Sequence, residues 1–175
     1  MAQGAGLSVR RRWAVGLVAA AAALAAWLGA VPRPLLEVVD LNTRRVVLCA
    51  RMEDGEAFIL RFTHSVNRRP VEDTLQAGVQ GLTIVKSVYD AFGAGMPEAS
   101  DAGGTLRVLP DGRLEYTVNR SVPEVTVRVG RVAGHELELK GRSIRLDRLA
   151  PPGSPLSFTV RPAGLFSLMK GRCLW

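Results

Sequence analysis

The sequence predicts an all-β fold: an antiparallel sandwich or barrel-like domain of about nine to eleven short strands, preceded by one N-terminal transmembrane or signal helix. Three observations predict it. After Pro32-Arg33-Pro34 the chain runs as short segments with β-branched, alternating character. Asp54-Gly55, Asp111-Gly112 and Lys140-Gly141 divide these segments with residues that favour tight turns. No long amphipathic helix pattern appears beyond them, so the strands lack the crossovers that a parallel sheet requires. At 175 residues one domain with a real core fits, and two would be cramped.

The first element is apolar. Nineteen uncharged residues from Trp13 to Val31 would span about 28 Å as a helix, close to the hydrocarbon thickness of a bilayer. Arg10, Arg11 and Arg12 precede the run and no basic residue follows immediately, which orients the N-terminus inward. Trp13 and Trp27 sit where indole rings favour the interface. The expected organisation is a basic cytoplasmic N-terminus (1–12), a transmembrane anchor or signal segment (13–31) and an extracytoplasmic β-domain (32–175). An uncleaved anchor is favoured, because Leu28 is large for the position three before a cut. The alternative is a signal peptide cleaved near Ala25 or Ala30. Either way the protein is expected in or beyond the cytoplasmic membrane, single-pass if anchored.

The strands follow in order: 35–41, 44–50, 56–65, 82–92, 113–120, 124–130, 135–140, 143–147 and 156–162. Val125, Val127 and Val129 alternate with Glu124, Thr126 and Arg128, and Leu137 and Leu139 alternate with Glu136 and Glu138. That is the pattern of a sheet with one buried and one wet face. Residues 93–104, "GAGMPEASDAGG", read as a long flexible connection. Export makes Cys49 and Cys173 eligible for a disulfide that would staple the tail to an early strand. The favoured reading is nevertheless two unpaired thiols.

One stretch holds a histidine, a serine and two acids together: "RFTHSVNRRPVED", 61–73. With Asn67-Arg68-Arg69-Pro70 as a four-residue loop it forms a hairpin in which Val66 faces Val71, Phe62 faces Leu75, Leu60 faces Ala77 and Phe58 faces Val79. This register gives one continuous apolar face, and a one-residue slip would mix the two faces. It sets His64 opposite Asp73 on the apolar side and Ser65 opposite Glu72 on the wet side. Adjacent strand residues point to opposite faces, so His64 does not activate Ser65. His64–Asp73 is then an oriented imidazole at the rim of the core, and a structural cross-strand pair is favoured over a functional one.

Other chemistry is thinly represented. The histidines, acids and cysteines show no short metal-ligand spacing, so no metal and no cofactor is expected. His135 opens a strand after Gly134 and reads as solvated. Gly93-Ala94-Gly95 lacks the third glycine of a dinucleotide fingerprint and the Lys-Ser/Thr of a phosphate loop. The net charge is +7, yet aromatics are few and no basic run beyond Arg10–Arg12 exceeds two residues, so no nucleic-acid partner is expected.

Two motifs, "THSVNRRPVED" (63–73) and "SVYDAFGAGMPE" (87–98), resemble a bacterial family of unknown function. Its members are small proteins with an N-terminal apolar segment, commonly encoded beside subunits of TRAP-type transporters of the TAXI subclass. His64, Ser65, Val66, Pro70 and Glu72 match the first motif, and Phe92, Gly93, Ala94, Gly95, Met96 and Pro97 the second. Asn67 departs from the pattern, standing where many members carry an acid. The resemblance implies TRAP-type transporter subunits as partners and supplies no catalytic residues. The expected function is a membrane-anchored extracytoplasmic accessory protein of a TRAP/TAXI-type solute transporter, not an enzyme. The alternative is an envelope hydrolase or isomerase using His64 with Asp73 or Glu72. If the hairpin tip and the glycine-rich loop converge, the contact rim for a partner or ligand consists of His64, Ser65, Asn67, Glu72, Asp73, Gly93, Gly95 and Met96.

Overall fold

The computed structural model describes residues 5–30, 33–93 and 95–163; within the first of these, side chains are described from Arg11 to Ala23. A helix, α1, covers Ala5–Ala30. Among the described residues no helix is long and apolar enough to cross a membrane, so the expected span is not shown. The described side chains begin with Arg11 and Arg12 and stop at Ala23, short of the full apolar run, and Val31 lies outside the described residues.

Eleven strands follow among the described residues: β1 Arg33–Asp40, β2 Arg45–Arg51, β3 Glu56–Thr63, β4 Pro70–Gly78, β5 Gly81–Tyr89, β6 Thr105–Val108, β7 Leu114–Val122, β8 Val125–Arg128, β9 Glu136–Leu139, β10 Arg142–Arg145 and β11 Pro155–Ala163. They form a four-stranded sheet in the order β2-β1-β11-β8 and a seven-stranded sheet in the order β10-β9-β3-β4-β5-β7-β6. Every pairing is antiparallel. Among the described residues neither sheet closes on itself, so they are arranged as a sandwich.

Alternation explains the core. Leu137 and Leu139 are fully buried while Glu136 and Glu138 stay part-exposed. Leu36, Val38 and Ala50 of the small sheet meet Phe58, Leu75 and Leu137 of the large one. Phe58 stacks on Phe158 across the sandwich, with ring centroids 6.3 Å apart. Burying each such large side chain contributes about 1.5–3 kcal/mol.

Four strands cannot cover seven, and the remainder of the large sheet is covered by a loop. Val71, Tyr89, Leu114 and Tyr116 form a second cluster, against which Met96 and Leu106 pack. The Tyr89 hydroxyl donates to the Pro97 carbonyl (2.6 Å), and the Tyr116 hydroxyl donates to Asp101 (2.5 Å). Asp101 also accepts from the backbone N–H groups of Gly103 and Gly104. The segment read as a flexible connection is therefore tied to the sheet it covers. Cys49 is disulfide-bonded, which corrects the expectation of an unpaired thiol there. Cys173, the other cysteine in the sequence, lies outside the described residues, as does the tail 164–175.

The expected hairpin exists in a different register. Phe62 faces Val71, Leu60 faces Asp73, and Phe58 faces Leu75. The pairing is displaced by four residues along β4, an even number, so each side chain keeps its predicted face and changes its partner. The cause lies in the turn. His64 Nδ1 accepts from the N–H groups of Val66 (3.3 Å) and Asn67 (3.5 Å), and Arg68 takes a left-handed conformation at φ 57°. The His64 N–H then donates to the Arg69 carbonyl (2.8 Å), leaving Ser65–Arg68 as the loop. Pro70 opens β4, where its missing N–H costs no ladder bond.

Candidate functional site

The hairpin tip and the glycine-rich loop do meet. A Cβ on Gly93 would lie 2.5 Å from Nδ2 of Asn67, so only glycine lets that side chain lie against the loop. Arg69 grips Asp90 with two parallel hydrogen bonds, Nε to Oδ1 (3.0 Å) and Nη2 to Oδ2 (2.5 Å). The Met96 N–H donates to the Gly93 carbonyl (2.9 Å), which turns the Met96 side chain back into the second cluster. Ser65 and Gly95 are exposed here, and so are the apolar side chains of Val66 (66%) and Phe92 (49%). His64 is the cap of the turn and no longer faces an acid.

Glu72 and Asp73 do not belong to this rim. Glu72 lies on the outer face of the large sheet, where it accepts from Arg61 (3.1 Å) and approaches Arg113 (3.8 Å). Arg61 also pairs with Glu138, so acids and arginines of β9, β3 and β4, with Arg113 just before β7, form a ladder. Nearby, Glu115 is almost fully buried between Lys86 and Arg107, whose hydrogen bonds hold its carboxyl below the usual range despite the burial.

Asp73 points the other way, into the sandwich. It shares the inner face of β4 with Val71, Leu75 and Ala77, all buried. There it lines a cleft of about 300 Å³, walled by Leu60, Phe62, Leu75 and Ile84 of the large sheet and by Val125–Arg128 of β8. The cleft exists because β8 is only four residues long and is the edge of the smaller sheet. The Ser87 hydroxyl donates to Asp73 Oδ1 (2.5 Å). Burial pushes the Asp73 pKa up, and the Ser87 hydrogen bond offsets only part of this.

The second titratable group in the cleft is His135. Its ring stacks on Phe62 at 5.5 Å, and its Nδ1 accepts from the Gly130 N–H (3.2 Å). An accepting Nδ1 leaves the proton of the neutral imidazole on Nε2. Burial pushes the pKa of His135 down, in keeping with that neutral form. The backbone allows the approach because residue 130 is glycine: a Cβ there would sit 2.9 Å from the Cβ of Ala133 and 3.2 Å from His135 Cε1.

Sequence reasoning named the acid and missed this histidine. The missed signal was parity, since in "HELEL" His135 shares the face of Leu137 and Leu139. Among the described residues no group of three or more His, Cys, Asp or Glu side chains is placed to hold a metal ion.

A domain of unknown function, DUF1850, matches residues 58–146, just over half of the chain. The chain belongs to this family. The DUF1850 match runs from Phe58 in β3 to Leu146 beyond β10, so it contains the rim and every residue that lines the Asp73 cleft. Strands β1, β2 and β11, which complete the sandwich, fall outside it. No curated protein and no solved structure matches the chain.

Proposed function

We propose that this DUF1850 protein is an extracytoplasmic accessory protein of a TRAP/TAXI-type solute transporter, anchored in the cytoplasmic membrane by a single N-terminal pass. The observation that carries the extracytoplasmic reading is the disulfide at Cys49, since structural disulfides persist in oxidising compartments and are rare in the cytosol. The apolar run from Trp13 to Val31, with three arginines before it, supports an anchor with its N-terminus inside. The two motifs that resemble the transporter-linked family are also the two that join at the rim, where Val66 and Phe92 offer exposed apolar surface to a partner. Anchoring raises the local concentration of the domain at the membrane, so a weak contact with a transporter subunit is occupied.

The alternative, an envelope hydrolase or isomerase using His64 with Asp73 or Glu72, has less support. His64 is committed to its turn, Glu72 to Arg61 on the outer face, and Asp73 faces Leu60 across the hairpin. Affinity purification of tagged full-length protein from mild-detergent membranes, with mass spectrometry of the chain and its co-eluting partners, tests the proposal. TRAP-type subunits eluting with a full-mass chain are expected; a shortened chain eluting alone would refute both anchor and partner.

A further inference from the structure

We propose that the cleft between β8 and the inner face of the large sheet is a binding site for a small apolar amine, with the ammonium group on Asp73 and the hydrocarbon body along Leu60, Leu75 and Ile84. The inference rests on the cleft alone and holds whether or not the domain serves a transporter.

Three observations carry it. The first is the placement of the carboxylate. Asp73 occupies a core-facing position between Leu60 on β3 and Ser87 on β5, on a face of β4 whose other members, Val71, Leu75 and Ala77, are apolar and buried. A core-facing carboxylate is costly unless it gains a partner of opposite charge or several donors, and its one described hydrogen bond comes from the neutral Ser87 hydroxyl.

The second observation is charge. The other charged or titratable groups lining the cleft are His135 and Arg128. His135 is turned to its neutral form by the Gly130 N–H at Nδ1. Arg128 is exposed and donates through Nη1 to the Gly153 carbonyl (2.7 Å). Neither hydrogen-bonds or ion-pairs with Asp73, whereas three acids of the outer face each have a basic partner: Glu72 has Arg61, Glu115 has Lys86 and Glu138 has Arg61. The fold thus neutralises the carboxylates of its wet face and leaves the cleft carboxylate to a ligand.

The third is shape. A volume of about 300 Å³ with mostly aliphatic walls and one aromatic face, Phe62, suits a compact hydrocarbon body. His135 stacks on Phe62 and so closes that wall, with its Nε2–H as a second polar contact for a ligand that carries an acceptor.

The test uses full-length protein in detergent micelles and three probes of matched shape: 2-phenylethylamine, 2-phenylethanol and phenylacetate. Saturable binding of the amine is expected, about tenfold or more tighter than either competitor, the ratio given by one charge-assisted hydrogen bond. In Asp73→Asn the amine should fall to the level of the alcohol, while the alcohol is unchanged. Retention of the Asp90–Arg69 rim and of the Cys49 disulfide, read by hydrogen exchange and thiol alkylation, shows that the variant is folded. Equal affinity for all three probes would overturn the proposal, as would tighter binding of phenylacetate, which would make Arg128 the anchor, or undiminished amine binding by Asp73→Asn. A second readout is independent of that variant: the amine's advantage over the alcohol should disappear on acidification as Asp73 protonates, and an advantage that survives at acidic pH would contradict the assignment.

Discussion

Asp73 and His135 respond to pH in opposite senses. The folded state raises the Asp73 pKa, so the fold binds its proton more readily than the unfolded chain does, and stability falls as pH rises from the ordinary value of 3.8 through the raised one. The cost is fully present above the raised value and absent well below 3.8. Asp73→Asn is therefore expected to stabilise the ligand-free protein at pH 7 by about 1 kcal/mol, the scale of an imperfectly partnered buried polar group, with the gain vanishing in acid. Urea denaturation at several pH values would show it. For His135 the fold resists protonation, so stability is lost as pH falls below the ordinary value near 6.5. His135→Gln keeps an acceptor for the Gly130 N–H and should flatten the profile just below that pH. An unchanged profile would mean the ring protonates freely in the fold.

At the scale of elements, the strands were legible because alternation and turn residues declare them. The nine expected runs correspond to β1, β2, β3, β5 and β7–β11, and the hairpin reading supplied β4. Only β6, Thr105–Val108, was missed. The faces of the hairpin were legible and its pairs were not. Parity survives an even displacement, whereas the partner of each residue depends on which four residues turn, and here a side chain, His64, decides that by capping the loop. The cover formed by 93–104 was hidden for a related reason: glycines in a sequence signal freedom, and here they signal contact. Gly104 shows this best, because a Cβ there would run into the Thr117 carbonyl and lie 2.7 Å from the Tyr116 ring. Gly104→Ala should cost about 1–3 kcal/mol in chemical denaturation, the range for overpacking. Gly93→Ala should displace only the end of the Asn67 side chain, changing hydrogen exchange at the hairpin tip more than global stability.

For the whole molecule, two sheets of unequal width explain where the sites lie. The four-stranded sheet ends at the short edge strand β8, so the inner face of its larger partner is left open at Asp73 and is closed further along by the glycine-rich loop. Cleft and rim are both consequences of that mismatch, and no single strand of the sequence announces it. Oxidation is a property of the same scale. Cys49 should resist alkylation in the native, non-reduced protein and become reactive only after reduction, and alkylation without reductant would remove the argument for export.

The central claim is that an anchored β-domain presents its hairpin-and-loop rim to a transporter. A photo-crosslinking amino acid placed at Phe92, and separately at Val66, in cells expressing the full-length chain tests it most directly. The account predicts a discrete crosslink from these positions to a TRAP-type membrane subunit or its solute-binding protein, and none from the exposed Val79 in the turn between β4 and β5, at the other end of the large sheet. Crosslinks no different from those at Val79, or a chain recovered only in the soluble fraction, would contradict it.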